Sequence, residues 1–345
     1  MLKFLAAGLL ALPLIAGAAD AQKIGNVDTS RWRGFNLLEK FTLRGNAPFK
    51  EDDFKWIAEL GFNFVRLPMD YRCYTEAGDW LKFKEPVLKE IDQAIEFGEK
   101  HGIHVCLNLH RAPGFCINPP AEATDLWKDD AALEAFVAHW VMFAKRYRHV
   151  PPERLSFNLL NEPTRNTRES YLKVNSRTIE AIQWADPRRL IVVDGNNVGS
   201  DAISEFLKYS NVIQATRGYH PGTVSHYKAN WVGGSDKWPE PTWSPAKNQT
   251  LVNYLKPWVD LSAKGGTVFV GEWGCFNKTP HPVALAWMKA WLEQWKQARF
   301  GWALWNFRGS FGILDSGRAD VQYEDWHGHK LDREMLKLLQ EYQRD

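Results

Sequence analysis

Two glutamates that close apolar stretches are the residues of this sequence best suited to chemistry. Glu162 closes the stretch LSFNLLN (155–161), and Pro163 behind it cannot donate to a sheet. Glu272 closes the stretch TVFVG (267–271). A carboxylate at the end of a buried strand is costly unless something uses it. A facing pair suits glycosidic bond cleavage, in which one carboxyl group protonates the leaving oxygen and the other, ionised, faces the anomeric carbon.

Further polar and aromatic side chains fall near the ends of other predicted strands, and each alone has an ordinary structural explanation. They are Asn36, Glu39, Arg66, His110, Asn161, Tyr219, His220 and Trp305. Together with the two glutamates they predict a site. Arg66 and a tyrosine hydroxyl beside Glu272 would keep that carboxylate ionised. Glu162, which lacks such a partner in this interpretation and faces Glu272, would stay protonated.

The elements that must position these residues alternate regularly along the chain. Eight apolar runs are typical of strands, at residues 34–38, 63–68, 103–109, 155–160, 190–194, 211–215, 267–271 and 302–305. Eight helical segments follow them in turn, at residues 51–60, 85–101, 129–148, 168–185, 201–207, 249–263, 282–297 and 331–342. This alternation predicts an α/β fold, a single (β/α)8 TIM barrel, in which all strand C-termini share one face. A doubly wound open sheet would need a G-x-G-x-x-G turn after an early strand, and GFNL (34–37) offers none.

The N-terminal residues resemble a targeting segment rather than part of the fold. Lys3 precedes an apolar run at residues 4–16, and Ala19-Asp20-Ala21 fits a small-residue cleavage site, with Gly17-Ala18-Ala19 as the alternative. We therefore expect a secretory signal peptide at residues 1–21, a catalytic domain at residues 22–345, and a secreted or periplasmic protein without a membrane anchor after cleavage. The net charge of +2 does not indicate a polyanionic partner, which argues against nucleic acid.

The four cysteines, Cys73, Cys106, Cys116 and Cys275, leave the redox state open. Cys106 lies inside an apolar strand and is expected to be a buried thiol. A Cys73–Cys116 disulfide between two loops is possible after export, although four cysteines allow three full pairings. The absence of a C-x-x-C pair argues against a structural zinc site, and we expect neither a metal nor a cofactor.

Tryptophan is abundant, with 17 residues among 345. One group has helical spacing among apolar neighbours and is expected in the core: Trp56, Trp140, Trp184, Trp287 and Trp291. Another group lies in polar loops: Trp231, Trp238, Trp243 and Trp326. An exposed tryptophan can stack on the flat apolar face of a ligand. We expect the long loop at residues 219–245 to shape one side of a cleft and so to decide the substrate.

Five motifs in one order resemble the glycoside hydrolase family 5 (cellulase) enzymes. They are FVRLP (64–68), LNLHRAPG (107–114), LSFNLLNEP (155–163), VFVGEWG (268–274) and ALWNF (303–307). The resemblance spans residues 34–340. It implies a retaining β-glycosidase of the endoglucanase type on a (β/α)8 barrel, and its two carboxyl groups should lie roughly 5–5.5 Å apart.

The resemblance also implies a role for each residue that matches a motif position. Glu162 matches the general acid/base and Glu272 the nucleophile. Five further residues match positions that bind the sugar or orient the nucleophile: Asn161 at the 2-hydroxyl, Arg66 and Tyr219 at the nucleophile, His110 at the sugar, and Trp305 as the stacking platform.

One position departs from the family pattern. The family usually has His-x-Tyr at the end of the sixth strand, whereas this chain has Arg217-Gly218-Tyr219 followed by His220. Either Arg217 replaces the histidine or His220 takes its place from a shifted loop. An arginine beside the site would add positive charge and could change substrate preference.

Several alternatives stay open from the sequence. A metal-dependent barrel hydrolase would want a His-x-His pair on an early strand, which the first strand lacks. A non-catalytic carbohydrate-binding protein would use the tryptophan loops equally well, although both glutamates argue against it. Within the enzyme class, β-1,4-glucan is the first expectation, followed by β-mannan, xyloglucan or another β-glucan, or exo-β-glucosidase action. A monomer is the default expectation.

Overall fold

Eight parallel strands close into a barrel in the computed structural model, which describes residues 22–343. Their bounds are β1 Arg33–Asn36, β2 Phe64–Asp70, β3 His104–Ala112, β4 Leu155–Asn158, β5 Leu190–Asp194, β6 Val212–Gly218, β7 Thr267–Trp273 and β8 Gly301–Leu304. Each strand pairs in parallel with the next, and β8 pairs with β1 to close the ring. The predicted (β/α)8 barrel is confirmed. The predicted signal peptide at residues 1–21 lies outside the described residues.

Seven long helices of the described chain surround the barrel. Their bounds are α1 Glu51–Glu59, α2 Glu85–His101, α3 Asp130–Arg146, α4 Arg168–Ala185, α5 Asn248–Ala263, α6 His281–Ala298 and α7 Arg333–Glu341. The segment after β5, expected as a helix at residues 201–207, is instead a short 3-10 helix, Ser204–Lys208. Short antiparallel hairpins add to the periphery at Lys23–Ile24 with Val27–Asp28, at Thr75–Glu76 with Asp79–Phe83, and at Glu324–Trp326 with His329–Leu331.

Helix α2 illustrates why the helix bounds can be read from the sequence. Leu88, Ile91 and Ile95 recur at helical spacing and are buried against the barrel. Gly102 ends the helix in the left-handed conformation, with φ of 70°, and its N–H bonds carbonyls of the last turn. Glycine adopts this conformation without the steric cost that a side chain would bring.

The interior of the barrel near the strand N-termini is filled by an apolar cluster, here termed the lower core. It comprises Val27, Trp32, Phe64, Cys106, Leu190, Val192, Ile213, Ala215, Phe269 and Ala303. Trp32 precedes β1 and packs on Phe64, with ring centroids 4.8 Å apart, and edge-on against Phe269 at 5.5 Å. The lower core therefore fills the barrel below its C-terminal end.

One sequence prediction about an individual side chain is wrong, and one question that the sequence left open is answered. Trp184, expected in the core, lies on the outer face of α4 and is 82% exposed. The Cys73–Cys116 disulfide is not formed, because the four cysteines are buried free thiols. Cys73 Sγ faces the Lys40 carbonyl, whereas Cys116 Sγ faces the His110 carbonyl, each at 3.6 Å.

No helix within residues 22–343 has both the length and the apolar character needed to cross a membrane.

Candidate active site

A cleft of about 840 Å³ opens at the C-terminal end of the barrel, where the polar ends of the strands meet. Five predicted site residues line it: Glu162, Glu272, His110, Tyr219 and Trp305. Arg66 and Asn161 lie beneath them and are fully buried. The structure therefore brings together, around one cavity, side chains from strands that are far apart in sequence.

Glu272, near the end of β7, is surrounded by hydrogen-bond donors. Arg66 Nη1 donates to its Oε1 at 2.5 Å, and the Tyr219 hydroxyl donates to its Oε2 at 3.2 Å. Burial and the nearby Glu272 carboxylate hold the pKa of Tyr219 well above its usual range, so this hydroxyl stays protonated. A guanidinium group and a hydroxyl donor beside one carboxylate orient it as a nucleophile requires.

Glu162 follows β4 in a left-handed backbone conformation, with φ of 49°. Its N–H donates to Asp194 Oδ2 at 2.9 Å, which pins this turn to the end of β5. Burial and the neighbouring Glu272 raise the pKa of Glu162 to about 7, although Arg217 acts in the opposite direction. The two carboxyl groups are therefore in different environments, as an acid and a nucleophile require.

The expectation that Glu162 lacks a cationic partner is wrong. Arg217 Nε donates to Glu162 Oε1 at 3.1 Å, and Arg217 Nη2 lies 3.7 Å from Glu272 Oε1. The pKa of Glu162 is raised in spite of this partner because the side chain is buried beside another carboxylate. The sequence left open whether Arg217 or His220 takes the position of the family histidine. In the structure it is Arg217.

Asn161 and His110 form the polar floor between the glutamates. Asn161 Oδ1 accepts from Nη2 of Arg66 and from Nη2 of Arg217, each at 2.8 Å. Its Nδ2 donates to His110 Nε2 at 3.2 Å. Burial, with the charges of Arg66 and other arginines, holds the pKa of His110 well below its usual range, so the ring is neutral. Because Nε2 accepts, Nδ1 carries the proton, and it lies 3.9 Å from Glu272 Oε1.

Trp305 forms an aromatic wall of the cleft directly after β8. Its ring stacks on His110 with centroids 5.6 Å apart and an angle of 28° between the planes. Phe41 meets Trp305 edge-on at 5.3 Å. The remaining face of such a ring suits the apolar face of a sugar.

Three predicted site residues are not brought into the cleft. Asn36 is fully buried below it and binds Arg66 and two backbone carbonyls. Glu39, in the loop after β1, binds Arg308 at 2.9 Å and does not line the cleft. His220 turns away from the cleft and stacks on Tyr254, with centroids 4.8 Å apart and planes 12° apart.

Sequence reasoning missed Asp194 and Asn158, which connect the two halves of the site. Asn158 Oδ1 accepts from Arg66 Nε at 2.8 Å, and Asn158 Nδ2 donates to Asp194 Oδ1 at 2.9 Å. Asp194 in turn forms an ion pair with Arg217. A signal was present, because Asp194 ends the buried run LIVVD (190–194) on the same face as Glu162.

The two sides of the cleft differ in the loops that build them. On the side of β1 to β3, Phe41 and Arg44 line the cavity. On the side of β6 to β8, it is lined by His226, Trp231 and Phe311, and Trp231 is 56% exposed. Trp243 was expected beside Trp231, but it packs against the core, and its Nε1 donates to Asn248.

Within residues 22–343, no group of three or more histidine, cysteine, aspartate and glutamate side chains is arranged to hold a metal ion.

Comparison with known proteins places this arrangement among sugar-cleaving enzymes. The family model for cellulase, glycosyl hydrolase family 5, matches residues 21–310. The chain is similar to endoglucanase C of Acetivibrio thermocellus, with 25% identity over 305 residues that cover 79% of this chain and 88% of that protein. It is also similar to a beta-xylosidase of Phanerodontia chrysosporium, with 28% identity over 309 residues that cover 80% of this chain and 60% of that protein.

Solved structures share the whole barrel. One crystal structure of a glycoside hydrolase is 41% identical, with a TM-score of 0.85 over 90% of this chain and 99% of that one. Cel5A of Thermotoga maritima, solved in a mutant form with cellobiose, is 25% identical, with a TM-score of 0.77 over 90% of this chain and 96% of that one.

Proposed function

This chain belongs to glycosyl hydrolase family 5 and is a glycoside hydrolase, and from that premise we propose that it cleaves β-linked polysaccharide by double displacement with retention. Glu272 attacks the anomeric carbon while Glu162 donates a proton to the leaving oxygen. Water then attacks the anomeric carbon and gives its proton to Glu162 as the bond between the sugar and Glu272 breaks. The remaining predicted roles follow from position, with Asn161 and His110 at the sugar and Trp305 under its ring.

The difference between the two carboxyl environments carries this proposal. Glu162, with a pKa raised to about 7, can hold a proton near neutral pH. Glu272 instead accepts from Arg66 and Tyr219, whose donors orient the carboxylate toward the cavity. Two carboxyl groups that share a site but differ in this way support one acid and one nucleophile rather than two equivalent ligands.

The substrate we propose first is a soluble β-1,4-glucan cleaved internally. Its support is an open cleft with aromatic rings on both sides, Phe41 on the side of β1 to β3 and Trp231 and Trp305 on the side of β6 to β8. Relatives named endoglucanases support the same choice. Mannan is the second candidate, because a Thermotoga maritima Cel5A structure, 25% identical to this chain, contains mannotriose. Xyloglucan, other β-glucans and exo-β-glucosidase action remain further alternatives.

We also propose that the protein is exported to the periplasm or the medium and acts as a monomer. The sequence pattern of residues 1–21 supports export.

The experiment that tests the function is release of reducing ends from soluble β-glucans, β-mannan and xyloglucan, together with cello-oligosaccharides. The wild type is compared with Glu272→Gln and with the control Glu96→Gln, which changes an exposed glutamate on α2. We expect turnover of β-1,4-glucan by the wild type and the control, and a loss on the order of 10⁴-fold or more in Glu272→Gln. Oligosaccharide binding without turnover of any polymer would instead support the carbohydrate-binding alternative.

A further inference from the structure

Arg217 stands where family 5 enzymes usually have a histidine, and the barrel is shaped to receive it. The register between β6 and β7 shifts between Thr216 and Arg217, which places Arg217 directly opposite Glu272. Such a bulge re-aims a side chain. The inference drawn from this position rests on the proposed function and assigns a task to a residue outside the acid and nucleophile pair.

Two glycines leave the room that an arginine needs. A Cβ atom added at Gly271 would lie 2.9 Å from Arg217 Nη1, and one added at Gly199 would lie 2.8 Å from Arg217 Cγ. Both distances are too short for ordinary contact, so a larger residue at either position would displace the arginine. The two glycines therefore leave the space that the Arg217 side chain occupies.

The guanidinium group of Arg217 is held on several sides. Nη2 donates to Asn161 Oδ1 at 2.8 Å and forms an ion pair with Asp194, while Nη1 donates to the Thr216 carbonyl at 3.3 Å. Nε donates to Glu162 Oε1 at 3.1 Å. Only 2% of the Arg217 side chain is exposed, so water does not compete for its hydrogen bonds. The guanidinium group is therefore held in a fixed position relative to Glu162.

Asp194 holds Glu162 in two ways, directly through the Glu162 backbone and indirectly through Arg217. One of its carboxylate oxygens, Oδ2, accepts the Glu162 N–H at 2.9 Å and also receives Arg217 Nη2. The same carboxylate thus fixes the left-handed backbone of Glu162 and the cation that binds its side chain. This double attachment leaves Glu162 Oε2 as the oxygen that can carry the exchanged proton, because Oε1 is occupied by Arg217.

We propose that Arg217, fixed by Asp194, is a positioning residue that holds the Glu162 carboxyl group through both steps of the double displacement and favours its ionised form in the second. In the first step Glu162 passes its proton to the leaving oxygen as the glycosidic bond breaks and the bond to Glu272 forms. In the second step Glu162 takes a proton from the attacking water. Arg217 stays protonated in both steps and transfers no proton.

The direction of the pH effect follows from the charges that face Glu162. Glu272 on β7 and Asp194 on β5 disfavour ionisation of Glu162, Arg217 on β6 favours it, and the Tyr219 hydroxyl is neutral. A histidine would supply this positive charge only when protonated, whereas an arginine supplies it at every working pH. Removing Arg217 therefore raises the pH at which Glu162 loses its proton.

The test compares Arg217→Gln and Arg217→Lys with the wild type on a soluble β-glucan and on an aryl β-cellobioside with a good leaving group. For Arg217→Gln, we expect the alkaline limb of kcat/KM on the β-glucan to move up by about one pH unit. On the aryl substrate, which needs no acid in the first step, kcat should fall by about tenfold while kcat/KM stays within about threefold. Arg217→Lys keeps the charge, so its pH limb should stay near that of the wild type although its kcat falls.

An equal fall of kcat and kcat/KM on the aryl substrate, with an unmoved pH limb, would make Arg217 merely structural and overturn the inference. If Arg217→Gln does not fold, the same kinetics are measured on the double variant Arg217→Gln/Asp194→Asn. This variant removes one cation and one anion together and so leaves no buried charge of this pair without its partner. A wild-type kcat in that double variant would also refute the positioning role. Absence of any turnover by the wild type would instead refute the proposed function itself.

Discussion

Strand β3 carries a buried histidine at each end, His104 where it begins and His110 close to where it ends. Burial lowers the pKa of both rings, to about 3 for His104 and well below the usual range for His110. His104 has both nitrogens engaged, at 3.0 Å to the Glu153 carbonyl and at 2.9 Å to Ser156 Oγ. His110 Nδ1 has no hydrogen-bond partner within the described chain.

The same contrast separates the two ends of the barrel. Around His104 the side chains are aromatic and closely packed, with Trp32 at 4.3 Å and Phe64 stacked at 5.6 Å between ring centroids. His110 lines the cavity together with Glu162 and Glu272, and the buried Arg66 and Arg217 lie close enough to lower its pKa. Both nitrogens of His104 are used by the fold, whereas His110 lines the cavity and keeps one ring nitrogen without a partner. Substitutions at the two ends should therefore affect different measurements.

After the loss expected for Glu272→Gln, the largest effect is expected at the same C-terminal end, from Glu162→Ala. Loss of the acid should reduce kcat/KM on polysaccharide by about 10²–10⁴-fold, because the leaving oxygen then departs without a proton. On an aryl glycoside whose leaving group needs no proton, kcat/KM should be nearly unchanged. Steady-state kinetics on both substrates measure this difference, with unfolding by urea as the check that stability is retained. Equal losses on both substrates would contradict the acid role.

The next effect is expected at the N-terminal end, from Trp32→Ala. Emptying the space under Phe64 and Phe269 should lower the free energy of unfolding by about 3–5 kcal/mol. The kcat/KM of the folded enzyme should stay close to that of the wild type, because the lower core does not contact the cleft. Urea unfolding followed by circular dichroism measures the stability.

The matched control for that variant is Trp184→Ala, which removes the same side chain from an 82% exposed position. We expect its free energy of unfolding to change by no more than about 0.5 kcal/mol. A loss in Trp184→Ala as large as that in Trp32→Ala would mean that this surface of α4 is covered in solution. A loss of turnover in Trp32→Ala at full folding would break the separation between the two ends.

The sequence predicted the parts of the fold that depend on local pattern. Strand β5 and helices α2 and α4 have the predicted bounds, because apolar periodicity and terminal residues are local properties. Trp184 shows the limit of spacing alone. It lies two residues after the buried Ile182, and two residues rotate a helix by about 200°, to the solvent side.

The parts of the site that depend on register could not be predicted. Asn161, Glu162 and Glu272 were recognised because each closes an apolar run. The partnership of Arg217 with Glu162 depends on a bulge between β6 and β7, and a one-residue shift changes which side chain points into the barrel. His220, one residue beyond Tyr219, was accordingly placed in the cleft by the sequence but stacks on Tyr254 instead.

The smallest effect is the contribution of His104 to the pH dependence of the free energy of unfolding, and it tests the comparison between His104 and His110. The pKa of His104 is about 3 in the folded protein, against 6.5 for the ordinary side chain, so between these values the unfolded chain binds a proton that the folded chain does not. The free energy of unfolding must then fall as pH falls through this window. His104 alone would contribute a loss of about 2 kcal/mol between neutral pH and pH 5.

His104→Gln removes this titration, so its stability should decline less steeply with acid than that of the wild type. The absolute stability should be lower, because a glutamine cannot reproduce both hydrogen bonds, and the readout is therefore the slope between pH 7 and pH 5 in urea unfolding. The control His149→Gln changes an exposed histidine and should keep the wild-type slope. His139 and His226, whose burial lowers each pKa to about 4, act in the same direction and preserve part of the slope in every variant. An identical slope in His104→Gln and the wild type would show that His104 binds a proton in the folded state. That result would contradict the low pKa expected from its burial beside Trp32 and Phe64.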